Sequence, residues 1–149
     1  MCGIAGIWNF GEETVSGEII ERMIKTMIHR GPDDEGLFVD GNLGLGHRRL
    51  SIIDLSQRGH QPMANEDNTI WIVFNGEIYN YKHLNKILAS KGHKIRSNCD
   101  TETIIHLYEE YGTQCVDYLR GMFSFAIWDK KQKRLFAAVD RLRIKPFYY

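Results

Sequence analysis

Apolar side chains recur along the chain in two rhythms, one typical of strands and one typical of helices. Short runs rich in β-branched and aromatic residues predict strands at CGIAGIWNF, LGLGHRRLSIID, TIWIVFN, GMFSFAIWD and RLFAAVD. The last two runs are joined by KKQK and predict a hairpin. A further short strand, KPFYY, is expected to run to the C-terminus. The small residues of the first strand would let another group approach its backbone closely.

Helical spacing of apolar residues occurs in three segments. These are SGEIIERMIKTMIHR, YKHLNKILASKG and DTETIIHLYEEYG. Ser16 is the expected N-cap of the first helix, which ends at GPDDEG, and Asp100 or Thr101 is the expected cap of the third. Gly92 at the end of the second segment and Gly112 at the end of the third are suited to ending a helix. Strand blocks around two or three helices predict a layered α+β domain rather than a helical bundle.

Length, charge and cysteine content exclude several classes of protein. The 149 residues suit one domain, and the net charge is zero with both signs interspersed, which indicates neither a nucleic acid nor an anionic membrane partner. No apolar run approaches the ~20 residues of a membrane helix, and the N-terminus has no basic region ahead of an apolar stretch, so a signal peptide is not expected. Cys2, Cys99 and Cys115 are widely spaced, which argues against a disulfide framework and for a reducing, cytoplasmic setting. Neither Cys-x-x-Cys nor His-x-x-x-His occurs, so no metal site is predicted.

Cys2 directly follows the initiator methionine. If Met1 is removed, Cys2 carries both a thiol and a free α-amine. An α-amine has a pKa near ~7.7–8.0 and acts as a base near neutral pH. Nucleophile and base would then lie on one residue, as in N-terminal nucleophile hydrolases. The alternative is a small buried cysteine in a strand.

The segment FNGEIYN allows two interpretations of its Asn75–Gly76 pair. Asn-Gly strongly favours a type I′ hairpin turn. In the alternative interpretation, the Asn75 side-chain amide and the Gly76 backbone N–H form an oxyanion hole that faces a developing negative charge. The residues themselves leave both interpretations open.

Charged residues in two other segments suit the two ends of an amino acid. Arg48 and Arg49 are adjacent in a predicted strand and therefore face opposite sides. One of them would grip a carboxylate with two hydrogen bonds, unless both are solvated at a sheet edge. Asp100 would bind an ammonium, unless it only caps its helix. A thiolate, two oxyanion donors, a cation and an anion together suit an amino acid with an amide to cleave.

Eight motifs run in order through the chain: MCGIAGIW, HRGPDDEG, GHRRLSIIDLS, GHQPM, FNGEIYN, CDTETI, GMFSFAIWD and DRLRIKPFYY. In this order they resemble the glutaminase domain of the asparagine synthetase family, within the class II glutamine amidotransferases. The resemblance covers residues 1–149 as one glutamine amidotransferase type 2 domain. It implies an α+β fold, the four-layer αββα sandwich of N-terminal nucleophile hydrolases.

The resemblance also implies a role for each matching residue. Cys2 would be the nucleophile once Met1 is removed, and Asn75 and Gly76 would form the oxyanion hole. Arg49 would hold the α-carboxylate of glutamine. The pocket would further be built by two acidic residues at the α-ammonium and by the segment that follows Arg49: Glu77, Asp100, Leu50, Ser51, Ile52 and Ile53.

The implied reaction is hydrolysis of the side-chain amide of L-glutamine to glutamate and ammonia through a cysteinyl thioester. This step would need no metal or cofactor. ATP and magnesium would act only in a synthetase domain, absent from this sequence, that accepts the ammonia. The implied protein is cytoplasmic, has no nucleic-acid or membrane partner, and is compatible with a homodimer.

The end of the chain departs from the family pattern. The closing motif usually reads Arg-Asp-Arg-Leu-Gly-Ile-Lys-Pro, whereas Val139 and Arg143 here replace the first arginine and the glycine. If that glycine has a positive φ, an arginine there is strained. The end at Tyr149 suggests a domain truncated at its C-terminus. Two alternatives stay open: a glutaminase that serves another ammonia acceptor, and a non-catalytic remnant that acts as a binding module.

Overall fold

Two antiparallel sheets stack face to face in the structure, a computed structural model that describes residues 1–149. The strands are β1 (Gly3–Trp8), β2 (Asp34–Asp40), β3 (Leu43–Arg49), β4 (Met63–Ala64), β5 (Ile70–Ile78), β6 (Gly121–Asp129) and β7 (Arg134–Val139). The helices are α1 (Gly17–Lys25), α2 (Tyr81–Ser90) and α3 (Asp100–Tyr111), with short 3-10 turns at Gln57–Gly59 and Gly112–Tyr118. The first sheet has the order β1-β3-β2 and the second the order β4-β5-β6-β7.

Helices cover the outer face of each sheet. Fifteen buried side chains, among them Phe125, Ile72 and Leu88, form the larger core between the second sheet and helices α2 and α3. A smaller cluster built around Leu45 and Trp128 fills the space between the two sheets. Because α1 packs on the first sheet, the layers run helix, sheet, sheet, helix, which is the expected αββα order. None of the helices is both long and apolar enough to span a membrane.

Helix α1 packs directly against the backbone of β3 because that strand presents glycine to it. A Cβ added at Gly46 would come within 2.5 Å of Ile24 Cγ2 and 2.8 Å of Ile20 Cγ2. Both isoleucines are fully buried, so the helix has no room to move away from a larger residue without opening the core. The predicted first helix is therefore confirmed over Gly17–Lys25, where Ile20 and Ile24 face the glycines of β3, but its predicted end is wrong, since residues 26–30 form turns.

Several sequence-based boundaries are wrong. Strand β2 was not predicted, since Leu37 and Val39 on its outward side are exposed and GPDDEG breaks the pattern before it. The strand predicted over residues 43–54 ends at Arg49, and a loop follows. KPFYY forms no strand. Instead, the Asp140 carboxylate accepts the backbone N–H groups of the chain at positions 142, 144 and 145 and turns it away from β7.

The buried His47 joins the two sheets and generates a pH prediction. Its Nε2 donates to the Phe74 carbonyl oxygen in β5 at 3.0 Å, and its buried Nδ1 has no partner. Burial lowers the pKa of His47 to about 4. An unfolded histidine titrates near ~6.5, so on acidification the unfolded chain takes up the proton first. Above the unfolded pKa, the titration of His47 does not change the unfolding free energy. As the pH falls from the unfolded pKa towards the folded pKa of about 4, the unfolding free energy decreases.

We therefore expect the wild type to lose about 2 kcal/mol more unfolding free energy than His47→Gln between about pH 7.5 and about pH 5. Urea unfolding at both pH values measures this difference. Glutamine retains a donor for the Phe74 carbonyl, which makes it the matched variant. Parallel losses in the two proteins would show that His47 does not titrate as its burial requires.

Arg143 has a φ of +52°, in the left-handed region that glycine adopts without strain. Its side chain is exposed, so the replacement Arg143→Gly removes little packing. We expect this variant to be more stable by about 0.5–1 kcal/mol, because relief of strain exceeds the added backbone entropy of the unfolded state. The control is Arg141→Gly, an exposed position without positive φ, which should lose stability. Thermal unfolding distinguishes the two, and equal losses would contradict the strain argument.

Candidate active site

A cavity of about 140 Å³ lies at one end of the two sheets, near the start of β1, the ends of β3 and β5 and the start of α3. It gathers nine of the ten residues predicted from sequence: Cys2, Arg49, Leu50, Ile52, Ile53, Asn75, Gly76, Glu77 and Asp100. Ser51 is the exception, since it does not line the cavity and its backbone N–H donates to Asp33 Oδ2 at 2.7 Å. Residues more than 90 positions apart in sequence therefore meet in one place.

Cys2 is held at the start of β1 by contacts on both sides. Its Sγ accepts a hydrogen bond from the Leu50 backbone N–H at 3.4 Å, and its carbonyl accepts from Arg30 Nε at 3.1 Å. Cys2 is half-buried, whereas Cys99 and Cys115 are buried. Burial raises the pKa of Cys99 to about 11 and that of Cys115 to about 12, which makes both thiols poor nucleophiles. Cys99 also lines the cavity, but Cys2 is the cysteine there that is only half-buried.

Asn75 and Gly76 lie inside β5 and not in a hairpin turn, so the turn interpretation is wrong. They pair with Ser124 and Phe123 of β6. A Cβ at Gly76 would come within 2.2 Å of the Met122 carbonyl oxygen, which explains the need for glycine here. Tertiary strand pairing has overridden the local preference of Asn-Gly for a turn.

The backbone N–H of Gly76 points away from β6. Alternate residues of an antiparallel strand direct both backbone groups to the same side. The N–H groups of Phe74 and Ile78, two positions on either side, donate to Gln61 Oε1 at 2.7 Å and Asp100 Oδ2 at 2.9 Å, respectively. Gly76 therefore presents its N–H between these two side chains, beyond the end of the short neighbour β4.

The two adjacent arginines serve opposite sides of β3, as predicted. Arg48 Nε donates to the Gly31 carbonyl at 2.9 Å, and its guanidinium pairs with Glu35, away from the cavity. Arg49 lines the cavity, and its guanidinium donates to carbonyls of the following loop, including that of Ser56 at 3.0 Å. Both side chains are buried, so the interpretation as a solvated pair at a sheet edge is wrong.

Asp100 faces the cavity from the first turn of α3. The residue at the N-cap position is Cys99, so the expectation that Asp100 or Thr101 caps the helix is wrong. Asp100 Oδ2 instead accepts a hydrogen bond from the Ile78 N–H, which connects the helix to β5. Burial raises the pKa of Asp100, because the charged carboxylate is partly desolvated. A cationic ligand group beside it would favour the charged form.

Two polar residues of the cavity were missed by the sequence analysis. Gln61 is buried, with its Nε2 donating to Thr101 Oγ1 at 3.2 Å while its Oε1 accepts from β5. Lys145 is 6% exposed, and its Nζ lies 2.8 Å from Met1 Sδ. Both belong to quoted motifs, GHQPM and DRLRIKPFYY, but a single glutamine or lysine in a loop indicates no chemistry by itself. Only the folded chain brings them to Asn75 and Asp100.

Curated relatives resemble this chain along its whole length. Asparagine synthetase [glutamine-hydrolyzing] 1 of Bacillus subtilis is 44% identical over 152 residues, which cover 100% of this chain and 24% of the relative. Asparagine synthetase [glutamine-hydrolyzing] 1 of Arabidopsis thaliana is 40% identical over 149 residues, which cover 99% of this chain and 25% of the relative. The chain thus spans about a quarter of the length of these relatives.

A solved structure shows the same fold. It is glutamine phosphoribosylpyrophosphate amidotransferase from B. subtilis, in complex with ADP and GMP, with a TM-score of 0.75 at 19% identity. The similarity covers 92% of this chain and 37% of that protein. The predicted αββα sandwich is therefore confirmed. The family of glutamine amidotransferase domains matches residues 1–149, which is the entire chain, and the protein belongs to that family.

Proposed function

We propose that this domain hydrolyses the side-chain amide of L-glutamine and releases ammonia. The observation that carries the proposal is the joint placement of a half-exposed thiol at position 2, a strand N–H left unpaired by β6 and opposite charges in one cavity. The family supports the proposal, since its members are glutamine amidotransferase domains. The wider alternatives, another acceptor or a binding module, have no comparable observation in their favour.

The charges of the cavity suit the two ends of an amino acid. Arg49 and Lys145 supply positive charge, and Asp100 and Glu77 supply negative charge. An α-carboxylate would lie at Arg49, whose planar guanidinium matches it with two hydrogen bonds. An α-ammonium would lie at Asp100 and favour its ionised form. The side-chain amide would then extend towards Cys2.

The chemistry requires a free α-amine on Cys2, and hence removal of Met1. The amine takes the thiol proton, and the sulfur forms a bond to the amide carbon. Negative charge then develops on the amide oxygen, where the Asn75 side chain and the Gly76 N–H would stabilise it; one such donor is typically worth ~3 kcal/mol of barrier. The amine returns its proton to the leaving nitrogen, the C–N bond breaks, and ammonia departs. Water, deprotonated by the same amine, cleaves the remaining thioester to glutamate and frees the thiol.

The ammonia acceptor is proposed to be a synthetase domain or subunit of the asparagine synthetase type. The curated relatives support this, because they carry the matching domain in about a quarter of their length. ATP and magnesium would act in that second part and not at Cys2. The three free thiols suit a reducing compartment, for which we propose the cytoplasm.

Cys2→Ala should abolish glutamine hydrolysis while changing unfolding free energy by less than about 0.5 kcal/mol. The thiol is half-buried and its loss removes little packing. The measurement is glutamate release, with thermal unfolding to verify the fold. A variant that still hydrolyses glutamine would rule out Cys2 as the nucleophile.

Intact mass spectrometry tests the same site without substitution. After treatment with a glutamine-mimicking diazoketone, we expect a chain that lacks Met1 and carries one adduct on Cys2. Cys99 and Cys115 serve as internal controls, because burial raises the pKa of each thiol. A chain that retains Met1 and takes no adduct would argue for the non-catalytic binding module.

Arg49→Lys should raise the KM for glutamine roughly 10- to 100-fold, because lysine loses the bidentate grip on a carboxylate. Arg48→Lys is the matched control: Arg48 is equally buried but donates to Gly31 and Glu35 on the far side of β3. Its KM should stay unchanged. Equal effects of the two variants on KM would show that the losses come from the strand and not from a carboxylate contact.

A further inference from the structure

A second cluster of chemically active side chains lies on the helical layer, away from the cavity at Cys2. His106 and Glu109 lie on α3, one turn apart, and His93 lies in the segment that joins α2 to α3. The two histidine Nδ1 atoms are 3.1 Å apart. Glu109 Oε2 lies 2.8 Å from Nδ1 of His106 and 3.4 Å from Nδ1 of His93. His106 is six residues beyond Asp100, roughly 9 Å further along the helix.

The three facing atoms form a triangle of the right size for one cation. Ligands at ~2.0–2.1 Å around a tetrahedral Zn²⁺ ion lie about 3.3 Å from one another. The observed separations of 3.1, 2.8 and 3.4 Å fit this spacing. An ion at that distance from all three atoms would lie about 1 Å outside their plane, with its fourth position open to water.

Two of the three groups, His93 and Glu109, are supported from behind by a hydrogen bond in the manner of metal ligands. His93 Nε2 lies 2.9 Å from Glu110 Oε1, which would hold its proton there and leave Nδ1 free to coordinate. Glu109 Oε1 accepts a hydrogen bond from Asn65 Nδ2 at 2.9 Å. His106 Nε2 is buried without a hydrogen-bond partner, and the Glu102 carboxylate lies 3.7 Å from it.

We propose that His93 Nδ1, His106 Nδ1 and Glu109 Oε2 bind a divalent cation of the zinc class. Two imidazole nitrogens and one carboxylate are a ligand set that zinc accepts, whereas magnesium and calcium prefer oxygen alone. The ion would tie the connection that follows α2 to the middle of α3. Its role is structural, because the cluster is separate from the cavity at Cys2.

The surroundings favour positive charge at this place. The carboxylates of Glu102 and Glu109 lie 3.7 Å from Nε2 and 2.8 Å from Nδ1 of the buried His106. A second cavity of about 180 Å³ is lined by His106, Asn65 and Glu102, among others. It borders the cluster, so water and ions reach its edge.

The test is equilibrium dialysis of the purified chain against Zn²⁺, with bound metal quantified by mass spectrometry. We expect one equivalent in the wild type and at least tenfold weaker binding in His93→Gln and in Glu109→Gln. His83→Gln, at an exposed histidine on α2, is the matched control and should bind as the wild type does. At a hundredfold excess over the wild-type Kd, Zn²⁺ should raise the Tm of the wild type by about 5–10 °C and that of His93→Gln by at most about half as much.

Cys2→Ala separates this site from the proposed glutaminase centre and should retain its equivalent of Zn²⁺. Zinc lost in Cys2→Ala but retained in His93→Gln would overturn the proposal, because the thiol would then be the ligand. No stoichiometric binding by the wild type would also overturn it and leave the two histidines sharing a proton. His93 lies in a connecting segment, so its variant stays informative even if Glu109→Gln unfolds.

Discussion

The outer edge of β5 is the constraint on which the cavity depends. Its neighbour β4 pairs only with Trp71 and Ile72, so the later N–H groups on that side have no strand to accept them. A buried backbone donor without a partner costs free energy, and the chain supplies Gln61 for one group and Asp100 for another. The unpaired N–H groups of β5 therefore hold these two side chains at the edge of the sheet. Gly76 lies between them and is the place where a ligand can take the same role.

Alternate residues of strand β3 face two different environments. Its glycines face α1 and allow the helix to lie against the sheet, while Leu43 and Leu45 fill the space between the sheets. At its end the alternation continues with charged side chains, Arg48 outward and Arg49 towards the cavity. One period-2 pattern thus determines both how the layers pack and which cation reaches the site.

The sequence was informative where a local pattern and the tertiary environment agree. Apolar spacing predicted the three helices and the β6–β7 hairpin, and nine of the ten site residues predicted from the motifs line the cavity. Strand β2 was not predicted because its exposed leucine and valine break the alternation of apolar and polar residues that is typical of a strand. Gln61 and the His93–His106 pair could not be predicted either, since their partners are distant in sequence and follow no fixed spacing.

Met1 lies in the cavity of the chain as translated. It lines the cavity with Cys2, and its sulfur lies beside the buried ammonium of Lys145. Removal of Met1 therefore does more than release the amine of Cys2: it enlarges the cavity and removes the sulfur that lies 2.8 Å from Lys145 Nζ. A buried cation without a partner is costly. In an unprocessed chain Met1 therefore forms part of the cavity wall beside Lys145, and its removal exposes a position that an anionic group is suited to occupy.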